Sequence, residues 1–212
     1  MIFDKNGSVD KKYLKKLLKE TNKLRKNFAF KEINKDECSV VYLPIKSETF
    51  GCFCEGLSNQ YKRQIKNIKY SDKIRANCKN YLKIYKNKEN KVVFIECYPK
   101  EESVNLVYLA HYEGNVRYLF PFCENGEFYP TCSYVAKFEN DKVVEEYQVD
   151  GNQIVYELYF DETKDKVNYY LINYVPTGTF PVLDECWGIY YFNPLRFELL
   201  KRKTWLDERN KK

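Results

Sequence analysis

The 212-residue chain has one histidine, one methionine, two tryptophans, 8 glycines and 7 prolines. With His111 as the sole imidazole, any Ser-His-Asp or Cys-His centre must use that residue. The scarcity of glycine and proline leaves no flexible linker, and no internal repeat stands out. No stretch approaches the roughly 20 apolar residues of a membrane-spanning helix. The opening "MIFDKNGSVDKKYLKK" has no apolar run of signal-peptide length. The expectation is a soluble, cytoplasmic protein without membrane association. Its eight cysteines (38, 52, 54, 78, 97, 123, 132 and 186) then serve as reduced, well-buried small hydrophobes.

Aromatic residues are plentiful, with 20 Tyr and 14 Phe. Tyrosine combines an apolar ring with a hydroxyl that wants a partner, which suits half-exposed sheet faces and interfaces. Charge is uneven along the chain. Residues 1–100 hold 24 Lys+Arg against 11 Asp+Glu, net +13, and residues 101–212 hold 12 against 19, net −7. Such asymmetry suits either a polyanion-binding arm or a basic region packed beside an acidic one.

From residue 91 onward the pattern is regular. Runs such as "KVVFIECY", "VNLVYLAHY", "VRYLFPF", "KVVEEYQV", "QIVYELYF", "KVNYYLINYV" and "VLDECWGIYYF" alternate with breaks rich in Gly, Asn and Asp. These residues tolerate the positive φ of tight turns, so the rhythm reads as successive hairpins. The expected fold is α+β, mainly β: an antiparallel up-and-down meander of seven to eight strands, a curved sheet or barrel-like. It is covered by an amphipathic helix over 8–28 with Ser8 as N-cap, whose apolar stripe runs through Leu14, Leu17, Leu18 and Leu24. Residues 1–90 form a basic region with short strands near 38–57 and a helical or mixed stretch over 60–88, for which a strand at 81–86 is the competing reading. Residues 91–212 form the meander and end in a helix after Asn193–Pro194, the whole making one compact unit.

Candidate chemistry is sparse. "GCFCEGLS" (51–58) is one letter from a phosphate-binding loop, but Leu57 replaces the essential lysine and Glu55 adds repulsion. Cys52 and Cys54 supply two thiolates where zinc takes about four ligands, and no second C-x-C or C-x-x-C exists. The pair reads as two buried thiols on one strand face. No metal or cofactor is expected. His111 ends a strand, with Cys97 or Cys123 as conceivable thiol neighbours. Glu145, Glu157, Asp161 and Glu185 could line one sheet face. "KNKENK" reads as a turn, which discounts a nuclease-like Glu89/Lys91 set.

The clearest binding signal is the interleaving of cations with aromatics in 61–91. Its candidate contact residues are Tyr61, Lys62, Arg63, Lys66, Lys69, Tyr70 and Lys73, suited to phosphates and stacked bases. The preferred functional expectation is a non-enzymatic protein that binds a macromolecule, with a protein as its partner: an immunity or inhibitor protein that occludes a toxin or nuclease. The alternatives are a nucleic-acid-binding protein using 61–91, a small-ligand carrier with an aromatic-lined barrel cavity, and an enzyme built on His111.

Overall fold

The first helix is set by Asp10. In the computed structural model, which describes residues 9–44, 70–74, 78, 81–98, 106–129, 132–140, 142–160, 163–176, 182–192 and 194–206, helix α1 spans Lys11–Asn27. The Asp10 carboxylate accepts from the amides of Lys12 and Tyr13 at 2.9 and 3.0 Å, satisfying donors that the first turn leaves open. The cap is therefore Asp10 and not Ser8, because it is the Asp10 carboxylate that reaches the first-turn amides. Leu14, Leu17, Leu18 and Thr21 are buried at helical spacing, and Arg25 and Lys26 occupy the last turn, where cations favour the helix dipole.

The rest is one antiparallel sheet of eleven strands in strict chain order. They are β1 Ser39–Pro44, β2 Tyr81–Lys86, β3 Val92–Tyr98, β4 Leu106–Glu113, β5 Val116–Cys123, β6 Ser133–Glu139, β7 Lys142–Asp150, β8 Gln153–Phe160, β9 Lys166–Val175, β10 Val182–Phe192 and β11 Leu195–Leu206. Tight turns take positive φ at Asn90, Gly114, Gly126, Asn140 and Gly151, all in the breaks between runs.

The eight strands read from residue 91 onward are β3 to β10. The count of seven to eight is low because three more strands join. The stretch 81–86 is strand β2, not helix. Its period is two: Leu82 and Ile84 enter one core while Tyr85 enters the other. The segment after Pro194 is also a strand. Leu, Arg and Lys favour helix locally, but β10 offers a partner to every residue of β11 except Leu200. Phe197 lies over Gly188, where a Cβ would meet its ring at 2.4 Å, and Arg202 grips Asp184 with two hydrogen bonds of 2.7 and 3.2 Å. The sheet does not close, since β1 and β11 stand at opposite ends of the strand order. The barrel-like alternative is thereby corrected to an open sheet. The second short strand expected near 49–53 and the helical pieces expected over 60–69 lie outside the described residues.

Burial divides the sheet by face. On one face α1 lays Leu14, Leu17 and Leu18 against Phe94, Leu109, Phe120, Val149, Ile154 and Ile172. On the other, Leu43, Leu82, Ile84, Ile95, Leu119 and Tyr134 form a second core at the β1–β6 end. Val167 and Tyr169 gather Leu171, Tyr190 and Phe192 near the far end. Strand β4 is buried on both faces, through Val107 and Leu109 on one and Tyr108 on the other, as its unbroken apolar run requires.

Candidate functional site

The binding stretch expected from sequence is only partly described. Tyr61, Lys62, Arg63, Lys66 and Lys69 lie outside the described residues, as do Cys52 and Cys54. Tyr70 and Lys73 are described, and they separate. Lys73 is exposed, its amide held by the Ser71 hydroxyl at 3.2 Å, while Tyr70 is half-buried against the second core. The same division recurs downstream. Tyr85 is buried, and Tyr81 stacks on Tyr98 with ring centroids 4.6 Å apart and planes 14° from parallel. Of the described tyrosines of 61–91, Tyr85 is thus buried, while Tyr70 and Tyr81 are half-buried against protein neighbours.

The coherent charged surface is the outside of α1. Lys11, Lys12, Lys15, Lys16, Lys19, Lys23 and Lys26 are all exposed, with Glu20 as the helix's one acid, 3.8 Å from Lys16. Lys11, Lys15, Lys19 and Lys23 follow at steps of four residues, one above another on a helix about 25 Å long. This helix is fastened at several points. Beyond its leucines, the Asn22 amide donates to the Gly151 carbonyl at 2.7 Å, and the Tyr13 hydroxyl donates to Glu145 at 3.3 Å. Its apolar stripe is spent on the sheet, so the outer face offers charge alone.

Beneath the helix, carboxylates collect tyrosine hydroxyls. Glu96 on β3 accepts from Tyr85 at 2.9 Å and Tyr98 at 3.0 Å, and pairs with Lys35 in the strap between α1 and β1. Burial pushes the Glu96 carboxyl up, but the hydrogen bonds from Lys35 and Tyr85 and the Lys35 charge outweigh it and hold the pKa below its ordinary value. Glu145 on β7 accepts from Tyr147 at 2.9 Å besides Tyr13, with Lys137 at 3.7 Å. Burial, then the neighbouring carboxylates (for Tyr147 the Tyr13 hydroxyl ahead of Glu145), push Tyr85, Tyr98, Tyr147 and Tyr170 well above an ordinary phenol, so these hydroxyls stay protonated and able to donate. Sequence reading singled out Glu145 and Glu185, and both belong to the helix-covered face. They stand three strand spacings apart, about 14 Å or more, too far to act on one bond. Asp161 and the Glu157 side chain lie outside the described set. Glu96 was missed; its signal was an acid sharing a strand face with Phe94 and Tyr98.

Among the described residues, His111 does not meet a thiol. Its ring packs on Phe28 and Tyr118 with centroids 5.4 and 6.1 Å away, and its polar neighbour is Glu113 at 3.4 Å. Cys97 belongs to the opposite core, and Cys123 pairs in register with Leu106 on that same opposite face. Strand parity therefore separates the imidazole from both candidate nucleophiles. Glu89 and Lys91 form a surface ion pair across the 87–91 turn at 2.8 Å. No disulfide joins the six described cysteines, and among the described residues no cluster of three metal-ligating groups occurs.

A cavity of about 280 Å³ opens between the 30–35 strap and strands β3 and β4. Phe30, Ile33 and Phe94 give it apolar walls, and Lys31, Lys35, Glu32, Glu96 and Glu124 give it mixed charge. It lies at the sheet's margin, and its best-defined polar group, Glu96, is already saturated by protein donors. On the face away from α1, Arg117 is buried at 1% exposure with its guanidinium 5.2 Å above the Phe138 ring. In register, Ala136 separates Arg117 from buried Glu146, so the small residue lies between a buried cation and a buried anion.

No helix of the described residues is long and apolar enough to cross a membrane. Comparisons with protein families, with curated proteins and with solved structures return no match to this chain.

Proposed function

We propose that this chain is a non-enzymatic binding protein for another macromolecule, and more specifically an inhibitor or immunity protein that occludes the working surface of a toxin or nuclease. The observation that carries the reading is the outer face of α1, where seven exposed lysines share the helix with one glutamate. A cationic strip fixed to a broad sheet is preorganised, so little conformational entropy is lost when a partner docks. The complementary partner is a protein with an acidic surface, steered into place by the strip. A carrier function loses support because the sheet is open and the barrel interior it required does not form.

The test is capture from nuclease-treated extract at near-stoichiometric yield, followed by the triple reversal Lys15→Glu/Lys19→Glu/Lys23→Glu. These side chains are exposed, so the fold should persist by circular dichroism while partner affinity falls by tenfold or more, at roughly 1.4 kcal/mol per decade. A captured protein indifferent to the reversal overturns the reading.

Nucleic acid is the second reading, favoured by the same lysines meeting phosphates. Because the described tyrosines of 61–91 are occupied by protein neighbours, with Tyr85 buried and Tyr81 stacked on Tyr98, such binding rests on charge. It requires that log K fall with log salt at a slope of about −0.9 per phosphate neutralised on duplex DNA. A salt-independent interaction, or none with DNA or RNA, rejects it.

A further inference from the structure

The two ends of the sheet differ in what their outer edges meet. At the β1 end, Tyr42 exchanges backbone hydrogen bonds with Ser71 at 2.7 and 3.0 Å, so that edge is occupied at its middle. At the β11 end, no described strand pairs with the outer edge of a twelve-residue strand. That strand also exposes Phe197, Leu199 and Leu200 at 44, 55 and 56%, three of the four large apolar residues exposed among those described. A long strand with open amides and carbonyls is a template for another strand.

We propose that β11 is an isologous interface, pairing antiparallel with β11 of a second copy of this chain about a two-fold axis between Leu200 and Lys201. The choice of occupant rests on self-complementarity. In that register Glu198 stands opposite Lys203 of the partner strand, and symmetry repeats the pair. Phe197 then faces Thr204, Leu199 faces Arg202, and no two like charges stand directly opposite.

Face parity supports the same register. Between Trp187 and Gly188 the β10 ladder jumps from Lys201 to Leu199, leaving Leu200 as an extra residue in a bulge. Glu198 therefore points to the α1 side before the bulge, and Lys203, opposite Glu185, points to the α1 side after it. Across an axis at the bulge, each pre-bulge segment meets a post-bulge segment, so opposed residues share a face. The irregular backbone falls at the axis, and regular ladders run to either side. The result is a continuous sheet through both copies, with the apolar side chains of residues 197–200 gathered near its centre.

The interface is independent of the helical surface proposed above, and its test needs no partner protein. Sedimentation of the full chain at about 100 μM should show a dimer. Glu198→Lys reverses two cross-strand pairs at a half-buried position and should raise the dimer dissociation constant by about tenfold or more while the β-sheet spectrum is unchanged. Register is read by mixing two single variants, Glu198→Cys and Lys203→Cys, under mild oxidation. Opposed residues on paired strands bring Cβ atoms to about 4.5–5.5 Å, close enough to link. Mass spectrometry should find a 198–203 intermolecular disulfide in the mixture and no 198–198 link in the first variant alone. A monomer at this concentration, a dimer indifferent to Glu198→Lys, or a missing 198–203 link each overturns the proposal.

Discussion

The β1–β6 end and the β9–β11 end of this sheet obey the same hairpin rule yet are finished differently. At the first, both faces are covered: α1 and the strap pack on one side, and the Leu82–Ile84–Ile95 core fills the other. Acids there are saturated, as Glu96 is by Lys35, Tyr85 and Tyr98. At the second, the helix-side core still takes in Tyr170, Ile172 and Leu183, while the described side chains of β11 fasten across neighbouring strands. Arg196 lies 4.0 Å over Tyr191, Lys201 lies 5.3 Å over Trp187, and Phe197 covers Gly188. One end is stabilised by two large cores, the other by the margin of the helix-side core, a small Val167–Tyr169 cluster and the pairwise contacts of β11. The contrast teaches that strand pairing alone extends a sheet, while covering decides which strands carry the stability.

The sharpest way to break this comparison is Leu14→Ala. The side chain is fully buried between helix and sheet, so its loss should cost about 2–5 kcal/mol in urea unfolding. A loss below about 0.5 kcal/mol would mean that α1 does not secure the covered end. Next comes Gly188→Ala. The added Cβ would meet the Phe197 ring at 2.4 Å and the Glu198 carbonyl at 2.8 Å, so both ring and backbone must shift. An expected cost of about 1–3 kcal/mol can be read from thermal melts, with Phe197→Ala/Gly188→Ala recovering part of it.

A smaller effect is the acid response of Glu96. Its folded pKa lies below the ordinary 4.5, so its contribution to stability is present above that value and is lost as pH falls through the folded pKa. Unfolding free energy measured from pH 6 down to 3 should decline in the native chain and decline less in Glu96→Gln. Identical slopes would show that the Lys35 and tyrosine contacts do not favour the charged form. The smallest effect belongs to Leu199→Ala at the open end, which should stay within about 0.5 kcal/mol under monomeric conditions because the side chain is mostly solvated.

Legibility in the sequence followed the same division. The meander over residues 91–192 could be read because turn chemistry at Gly114, Gly126, Asn140 and Gly151 is local, and so is the alternation between the turns. Helix α1 could be read from its leucines, though its cap lay two residues beyond Ser8, since choosing among neighbouring polar residues depends on backbone geometry. Strand β2 could be read only as an alternative to helix over 81–86, and β11 could not be read. "YLKIYK" and "LRFELLKRKTWL" fit either period over so few residues, and each was decided by the partner strand beside it. The candidate site fared likewise. Tyrosines interleaved with lysines suggested a stacking surface, but Tyr81 and Tyr85 turned inward to Tyr98 and Glu96, partners separated from them by a hairpin. His111 was legible as the one imidazole, yet its distance from Cys97 and Cys123 follows from strand parity across the whole sheet.

Composition and local periodicity thus account for the helix, the hairpin rhythm and the lysine face, because each depends on residues within a turn or two of one another. The open edge, the two cores, the tyrosine-bound carboxylates and the conversion of the last segment into a strand arise from assembly. Each depends on which distant residues come into register, and the free energy of those contacts outweighs local propensity only once the sheet exists.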